Sequence, residues 1–292
     1  MNSVPPPSHL PGELLDGRYH LGEVVGRGGH GVVYRARDEQ GQRDVAIKFL
    51  HPEFATDPEF NVRMLREAQV AAKLHGTAAI EIFALRSDKT GALFIVMELL
   101  SGHDLAHYLG MWEDQGQFFP LADVPSIFEP IVTTLAAAHE QGIAHRDLKP
   151  GNIYVENVGG RTKVRLLDFG LAKVMSASPL TRSGMVAGSP TYIAPEVWKG
   201  DPTKLDHRID VYSLGALMFR VIAGQPPFSG SLIELMQASL TAARPSLHAI
   251  RKELPVEVDA WVQKALAINK DQRYQNVRDM WRDLLPLLPI KK

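Results

Sequence analysis

The chain of 292 residues contains no cysteine, which excludes disulfides, thiol catalysis and cysteine-ligated metals and is compatible with a reducing compartment. Its formal net charge of −1 and sequence pI near 6.8 exclude a general attraction to nucleic acid or to an anionic membrane, so any phosphate site must be local. With 45% apolar residues, no signal-peptide pattern and no uninterrupted apolar stretch of about eighteen residues, the sequence predicts a soluble, cytoplasmic protein with a sizeable core.

The first residues differ in composition from the rest of the chain. Residues 1–17 carry Pro5, Pro6, Pro7 and Pro11 without any periodic pattern of apolar residues. Proline-rich segments favour extended backbone without internal hydrogen bonds. The sequence therefore predicts a Pro-rich leader over 1–17, to which we assign no chemistry.

A glycine-rich turn follows the leader. Apolar residues on both sides of it predict a β-hairpin, and Gly26, Gly28 and Gly31 allow backbone N–H groups to approach phosphate oxygens without interference from a Cβ atom. Val33 completes the pattern G-x-G-x-x-G-x-V, and the chain continues into another strand. This continuation distinguishes the turn from a dinucleotide-binding fingerprint, in which a helix would follow.

Two charged residues in the next segments are candidates for an ion pair. The apolar strand 45–48 ends in Lys48, and Asp57 with Pro58 opens a predicted helix. Glu67 lies on or beside the apolar stripe of this helix, where a carboxylate needs a cationic partner because burying it unpaired is costly. Lys48 is the candidate partner. The alternative is a surface position for Glu67 among the neighbouring basic residues Arg63, Arg66 and Lys73.

Two apolar segments then lead to a polar loop. Residues 93–100 predict a buried strand, which breaks at Ser101-Gly102. Residues 122–141 predict an amphipathic helix that Gly142 ends. The loop at 145–152 has the sequence HRDLKPGN, which presents a carboxylate, an ammonium and an amide within eight residues.

This loop resembles the catalytic loop of protein kinases, H-R-D-L-x-x-x-N, in every specified place. The glycine turn, Lys48, Glu67, the loop itself and Asp168 of the Asp-Phe-Gly sequence occur in the order of that family and at ordinary spacing. The chain therefore resembles the protein kinase family, and specifically the eukaryotic-like (Hanks-type) serine/threonine kinases of bacteria.

The resemblance implies an α+β fold with two lobes, and the kinase domain would cover residues 18–288. The N-terminal lobe, 18–100, would be a small antiparallel sheet plus one helix, with a hinge near 98–102. The C-terminal lobe, 103–288, would be larger and mainly helical, and residues 289–292 would form a tail. The nucleotide would lie between the two lobes.

Four catalytic residues are implied by the resemblance. Asp147 would orient a substrate hydroxyl and accept its proton, while Lys149 would stabilise the transferring phosphoryl group. Lys48 would neutralise the α- and β-phosphates of ATP, and its pairing with Glu67 would allow the helix to switch the enzyme on.

The cofactors implied are ATP and Mg²⁺, for which Mn²⁺ can substitute. Asn152 and Asp168 would supply hard oxygen ligands for the metal. The remaining nucleotide contacts would come from the glycine turn, the strands around it, the hinge and the floor of the pocket: Val25, Gly26, Gly28, Gly31, Val33, Ala46, Lys48, Met97, Glu98, Leu100, Asp104 and Tyr154.

The segment 168–196 would decide substrate choice and regulation. Thr181 and Ser183 are the predicted phosphorylation sites, and Arg146 would receive the phosphate. The alternative is that both hydroxyl residues are ordinary polar loop residues. The resemblance further implies that Asp210 anchors the backbone of the catalytic loop and that Arg273 pairs with Glu196.

The predicted function is transfer of the γ-phosphoryl group of ATP to serine and threonine hydroxyls of protein substrates. A second copy of the chain would be the partner in trans-autophosphorylation, and neither nucleic acid nor a membrane is expected as a partner. Two alternatives remain, a pseudokinase that signals by docking and a kinase of small molecules. Five histidines without metal-ligand spacing are interpreted as ordinary surface or packing residues: His103, His107, His139, His207 and His248.

Overall fold

The computed structural model describes residues 9–28, 31–50, 62, 69–158, 161–169 and 190–289. The chain divides into two compact units. The first consists of Met1–His75 with Ala79–Ser101, and the second of Gly76–Ala78 with Gly102–Lys292. The boundary between Ser101 and Gly102 falls within the hinge region expected near 98–102.

The first unit is built on a six-stranded antiparallel sheet with the strand order β1-β2-β3-β4-β6-β5. The predicted hairpin around the glycine turn is confirmed, because β2 and β3 pair from Tyr19↔Asp38 to Gly28↔Gly31. Residues 69–73 are helical, and they are the described end of the helix predicted to begin at Asp57. The strands are β1 (Leu14–Leu15), β2 (Tyr19–Gly28), β3 (Gly31–Asp38), β4 (Arg43–Leu50), β5 (Ile82–Ser87) and β6 (Leu93–Glu98).

The sheet begins before the end of the expected leader. Leu14 pairs with His20 and Leu15 with Tyr19, so β1 lies along the edge of β2. Leu15 is 3% exposed and belongs to the apolar core of the first unit. Leu15 therefore gains apolar burial, and both leucines gain backbone pairing, which an isolated proline-rich leader would not have.

Alternation along β4 separates the face that packs in the core from a second face. Val45, Ile47 and Phe49 belong to the apolar core cluster of this unit. Because successive side chains of a strand point to opposite faces, Ala46 and Lys48 lie on the other face. Lys48, the lysine that the sequence predicts to bind phosphate, is only 7% exposed there.

The second unit is mainly helical and carries a three-stranded antiparallel sheet of β7 (His103–Asp104), β8 (Ile153–Val158) and β9 (Arg161–Leu166). With the sheet of the first unit, this confirms the predicted α+β composition. Its helices in the described ranges are α1 (Leu105–Glu113), α2 (Val124–Glu140), α3 (Pro195–Trp198), α4 (Arg208–Ala223), α5 (Leu232–Thr241), α6 (Leu247–Ile250), α7 (Val258–Ala265) and α8 (Val277–Leu284).

Helix α4 forms the centre of the second unit. All of its residues except Arg208 and Arg220 are buried, as its nearly continuous apolar sequence predicts. A Cβ atom at Gly215 would lie 3.1 Å from the Cβ of Ala265, so this glycine allows α7 to pack closely. Gly224 has a φ of +68° and donates its backbone N–H to the Arg220 carbonyl, which ends the helix where the sequence predicts.

One helical segment in the described part of the chain, Leu121–Glu140, is long and apolar enough to be considered a membrane span on length and composition alone. Its mean hydropathy is 1.3 and half of the tested window is buried inside the protein. The buried residues include Ile127, Ile131 and Leu135, the face that the amphipathic pattern predicts. A core helix of a globular domain satisfies the same test.

Candidate active site

The polar loop at 145–152 is fixed by a buried carboxylate at the start of α4. Asp210 is completely buried, and its Oδ2 accepts the backbone N–H of His145 at 2.7 Å while its Oδ1 accepts that of Arg146 at 2.8 Å. Burial raises the pKa of Asp210, but hydrogen bonding and charge from His139 outweigh it, so the pKa lies below the ordinary value and the group is ionised. The expected anchoring role of Asp210 is confirmed.

His139, at the end of α2, contacts the buried Asp210, which the sequence did not reveal. Its Nε2 lies 2.8 Å from Asp210 Oδ2, and its side chain is 7% exposed. A carboxylate can only accept, so Nε2 carries the proton and donates it. The interpretation of His139 as an ordinary surface or packing residue is therefore wrong, because its ring helps to hold the Asp210 carboxylate in position.

Two replacements of His139 should distinguish the contribution of its packing to stability from that of its hydrogen bond. His139→Leu removes the donor and should lower the free energy of unfolding by about 1.5–3 kcal/mol, the range for a hydrogen bond to a charged group. His139→Gln keeps a donor near Nε2 and should retain most of the stability and the slow amide exchange of Arg146. Urea unfolding and hydrogen exchange measure both quantities. Equal losses in the two variants would reduce His139 to a packing residue.

The ring of His145 links the loop to Leu167, the residue that follows β9. Its Nδ1 accepts the backbone N–H of Asp147 at 3.3 Å, so the neutral ring carries its proton on Nε2 and donates it to the Leu167 carbonyl at 2.9 Å. Burial lowers the pKa of His145, which favours this neutral form. The ring also packs against Phe169, with centroids 4.7 Å apart. Residues on both sides of Asp168 are thus tied to the loop.

Asp147 presents a partly exposed carboxylate whose orientation is fixed by two neighbours. Lys149 Nζ lies 2.8 Å from Asp147 Oδ2, and Asn152 Nδ2 donates to the same oxygen at 3.0 Å and to the Asp147 carbonyl at 2.7 Å. The Asp147 side chain retains 16% exposure. A carboxylate held in one orientation and reachable from solvent has the properties required of a group that orients a hydroxyl and accepts its proton.

Two residues of the site hold an unfavourable backbone conformation. Arg146 has a φ of +67° and Asp168 a φ of +53°, in the left-handed region that non-glycine residues rarely adopt. Such residues cost on the order of 1–3 kcal/mol each and persist only where the surrounding contacts determine them. Asp210 accepts the backbone N–H of Arg146, and His145 packs against Phe169, the residue after Asp168. These contacts hold the two residues in the left-handed conformation.

The two predicted metal ligands come from backbone segments that are hydrogen-bonded to each other. Leu167 donates its N–H to the Asn152 carbonyl at 2.8 Å, which fixes the residue before Asp168 beside Asn152. Because the amide nitrogen of Asn152 donates to Asp147, its oxygen is the side-chain atom suited to coordinate a cation. One carboxylate and one amide oxygen fit Mg²⁺, which keeps several water and phosphate ligands. No group of three or more His, Asp or Glu residues suited to metal binding occurs in the described ranges.

The register of the first sheet brings together several of the predicted nucleotide-binding residues. Gly26 pairs with Val33, and Val33 pairs with Lys48. Two residues before Lys48 on β4, Ala46 pairs with Met97 of β6. The glycine turn, the lysine and the residue expected before the hinge are therefore adjacent, as a common binding surface requires.

Several other predicted nucleotide contacts also lie on described strands or next to them. Val25 is 49% exposed on β2. In the second unit Asp104 pairs with Tyr154, and the Tyr154 hydroxyl donates to the Gly102 carbonyl at 2.7 Å. Gly102 must be glycine, because a Cβ atom there would collide with the backbone of Val155. These contacts set the positions of Asp104 and Tyr154, and their roles toward a nucleotide stay predictions.

Asp104 already has one structural role, and Glu98 has another. The Asp104 carboxylate accepts the backbone N–H of His107 at 2.9 Å and caps α1, so any contact with a ribose or a substrate would be additional. Glu98 donates its N–H to the Glu81 carbonyl at 2.9 Å. Leu100 follows just beyond the end of β6, and the roles of Glu98 and Leu100 toward adenine stay predictions.

A buried ion pair supports the segment that ends at residue 196. Arg273 Nη1 donates to Glu196 Oε1 at 2.9 Å and Nη2 to Glu196 Oε2 at 3.0 Å. The side chain of Arg273 is fully buried and that of Glu196 is 10% exposed. The expected pairing is confirmed. Asp147 also lines one small cleft together with Tyr192, Ile193 and Ala194, so this segment reaches the candidate catalytic carboxylate.

Three of the predicted site residues lie outside the described residues. They are Glu67, expected to pair with Lys48, and the two phosphorylation candidates Thr181 and Ser183. Their roles stay predictions.

The chain is similar to known proteins in both sequence and structure. The profile of the family described as "Protein kinase domain" matches residues 19–284. The serine/threonine-protein kinase PknB of Mycobacterium tuberculosis (strain ATCC 25618 / H37Rv) is 36% identical over 288 residues, which cover 96% of this chain and 43% of that protein. PrkC of Bacillus subtilis (strain 168), also a serine/threonine-protein kinase, is 35% identical over 277 residues, covering 94% of this chain and 41% of its own length.

Among solved structures, the crystal structure of the Mycobacterium tuberculosis PknI kinase domain has a TM-score of 0.74 and 26% sequence identity to this chain. The similarity covers 96% of this chain and 100% of that structure. The chain therefore matches a kinase domain along 96% of its length, while it spans less than half the length of the curated relatives named above.

Proposed function

Because this chain belongs to the protein kinase domain family, we propose that it transfers the γ-phosphoryl group of ATP to serine and threonine hydroxyls of protein substrates. The predicted membership among bacterial serine/threonine kinases is confirmed by the relatives in Mycobacterium and Bacillus. The family and the fold are thus established, and the activity of the whole protein and its substrates are the subject of the proposal.

The arrangement of Asp147 carries this proposal. Its carboxylate is oriented by Lys149 and Asn152, and the loop that contains it is anchored through two backbone hydrogen bonds to Asp210. Phosphoryl transfer depends mainly on positioning and charge, since there is little covalent work for the protein to do. Asp147 would orient the acceptor hydroxyl and take its proton, and Lys149 would balance the charge that develops on the transferred group.

Binding of ATP and of the metal is assigned to the residues that the sequence predicts for it in each unit. In the first unit we assign phosphate contacts to the glycine turn and to Lys48, a residue that is 7% exposed. In the second unit Asn152 and Asp168 would hold Mg²⁺, or Mn²⁺ in its place. When bound, the metal would neutralise part of the phosphate charge.

Protein acceptors are favoured over small molecules by the segment that ends at Glu196. Tyr192 to Ala194 share a cleft with Asp147, and the buried Arg273–Glu196 pair fixes the end of the segment. A polypeptide lying on this surface would bring a hydroxyl to Asp147. Lys149, two residues after the catalytic carboxylate, supports serine and threonine as acceptors.

Regulation would follow from the sequence beside this site. We propose that Thr181 and Ser183 are autophosphorylated in trans by a second copy, and that Arg146 then binds the phosphate. Pairing of Glu67 with Lys48 would report the active position of the helix that carries Glu67. A cytoplasmic location is proposed because the reaction consumes ATP.

The experiment that tests the function is incubation with γ-labelled ATP, Mg²⁺ and an unstructured protein rich in serine and threonine. We expect label on the protein, its loss when EDTA removes the metal, and its return when Mg²⁺ or Mn²⁺ is added in excess. Absence of transfer with intact ATP binding would favour the pseudokinase. Transfer to a metabolite mixture with none to protein would favour a small-molecule kinase.

A further inference from the structure

A tyrosine in the segment 190–194 is held at both ends by the central helix of the second unit. Tyr192 is 3% exposed and lines the small cleft that also contains Asp147. Its carbonyl accepts a hydrogen bond from the Ser213 hydroxyl at 2.7 Å, and its own hydroxyl accepts one from Arg220 Nη1 at 3.0 Å. Ser213 and Arg220 both belong to α4. This wall of the cleft is therefore attached to the buried centre of the unit.

Arg220 is itself held by a carboxylate from another helix. Its Nε donates to Glu113 Oε1 at 3.1 Å and its Nη2 to Glu113 Oε2 at 3.0 Å, a two-point contact that fixes the plane of the guanidinium. Glu113 is the last residue of α1, and Arg220 lies in the last turn of α4. In this orientation Nη1 is directed at the Tyr192 hydroxyl. Glu113, Arg220 and Tyr192 form what we call the Arg220 network.

The Arg220 network keeps its charges near neutral pH. Burial lowers the pKa of Arg220, but hydrogen bonds with Glu113 and Tyr192 outweigh this effect, so its pKa lies above the ordinary value. Burial also raises the pKa of Tyr192, so its hydroxyl stays neutral. The side chains of Arg220 and Glu113 are 23% and 28% exposed, so their attraction is screened less than that of a fully exposed pair. The network is thus a lasting contact and not a pH switch.

The position of Tyr192 determines the shape of the cleft beside Asp147. Ile193 and Ala194 follow it directly in the chain and line the same cleft. The Ile193 N–H donates to the Pro190 carbonyl at 3.2 Å, which closes a single turn around Tyr192. A shift of the tyrosine ring would therefore move the backbone of the next two residues. A displacement of about 1 Å at a distant positioning contact can cost on the order of 10² in rate.

We propose that Arg220 is a positioning residue for the polypeptide acceptor. Its guanidinium, oriented by Glu113, holds the Tyr192 hydroxyl and so fixes the segment 190–194, along which an acceptor would reach Asp147. This inference rests on the proposed protein kinase activity, and it concerns residues outside those assigned to the nucleotide and the metal. Breaking the contact should therefore impair the use of the acceptor and leave the binding of ATP as it is.

The test is a double-mutant cycle on the contact between Arg220 and Tyr192 in the full chain. Arg220→Leu removes the guanidinium, and Tyr192→Phe removes only the hydroxyl. We expect each variant to lower kcat/KM for a polypeptide acceptor by about tenfold or more, with the KM for ATP unchanged. Because both changes break the same contact, the double variant should be no less active than Arg220→Leu. Losses that multiply in the double variant would overturn the proposal.

An exposed arginine supplies the matched control for these variants. Arg282 of α8 pairs with Asp279, and the Arg282 side chain is 69% exposed. Arg282→Leu should keep the kcat/KM of the parent protein, because an exposed pair contributes little and Arg282 does not line the cleft. A loss as large as that of Arg220→Leu would show that the effect is not specific to the contact with Tyr192.

Hydrogen exchange without nucleotide measures the same contact independently of catalysis. In Arg220→Leu we expect the Ile193 amide to exchange about tenfold faster than in the parent protein, because the turn around Tyr192 opens more often. The Leu266 amide, which donates to the Val262 carbonyl at the end of α7, should keep its rate.

Unchanged exchange at Ile193, or equal acceleration at Ile193 and Leu266, would reduce Arg220 to a residue of general stability and overturn the proposal. Because this measurement does not depend on phosphoryl transfer, it distinguishes failure of the positioning role from failure of the proposed kinase activity.

Discussion

Replacing Asp147 by asparagine is expected to lower kcat for phosphoryl transfer by about 10²–10⁴, the range for loss of a positioned general base. Asparagine has nearly the same shape but cannot accept the proton of the acceptor hydroxyl. Its amide group also replaces the oxygen that interacts with Lys149 and Asn152. Initial rates with labelled ATP and a protein acceptor measure the effect.

The binding of ATP should change little in Asp147→Asn, because the phosphate contacts are assigned to other residues. Nucleotide titration followed by intrinsic fluorescence separates a defect in chemistry from a defect in binding. Asp114→Asn is the matched control, since Asp114 is an exposed aspartate just after α1 and outside the site. If Asp147→Asn keeps the kcat of the parent protein, Asp147 is not the group that accepts the proton of the acceptor hydroxyl.

The second large effect concerns stability. Arg273→Ala is expected to lower the free energy of unfolding by about 3–5 kcal/mol, because it leaves the poorly exposed Glu196 carboxylate without its partner. The same guanidinium also donates to the carbonyls of Ala267 and Arg208, which would lose their donor. Equilibrium unfolding in urea measures the loss.

An exposed arginine provides the comparison for this variant. Arg278 pairs with Glu140 on the surface, and both side chains are more than half exposed. Arg278→Ala should therefore change the free energy of unfolding by only ~0.5 kcal/mol. Similar losses in the two variants would show that burial does not distinguish the pairs. Partial recovery in the double variant Arg273→Ala, Glu196→Gln would identify the unpaired charge as the main cause.

The elements that the sequence predicted well are those with a local signal. Alternation of apolar residues predicted the hairpin around the glycine turn, and helical periodicity with a terminal glycine predicted α2 and α4. The catalytic loop was predicted from eight consecutive letters. Each of these patterns depends on neighbours in the chain, so the fold around it does not need to be known.

Contacts between distant residues left no such local signal, and the two that were expected, Arg273 with Glu196 and Asp210 with the catalytic loop, came only from the resemblance to the family. His139 and Asp210 meet only because α2 and α4 pack together, and an isolated histidine at the end of a helix gives no indication of this. His9 in the expected leader meets Asp88 for the same reason, through the folding of the sheet. The left-handed backbone of Arg146 and Asp168 was equally hidden, since neither residue is a glycine.

We propose above all that the chain transfers the γ-phosphoryl group of ATP to a hydroxyl of a polypeptide. Tandem mass spectrometry after incubation with ATP labelled with ¹⁸O in the γ-phosphoryl group tests it most directly, with the Asp147→Asn protein treated in parallel. We predict labelled phosphate on serine and threonine side chains with the parent chain and a loss of about 10²–10⁴ in the variant. Unlabelled protein, label confined to tyrosine, or equal labelling by both proteins would contradict it.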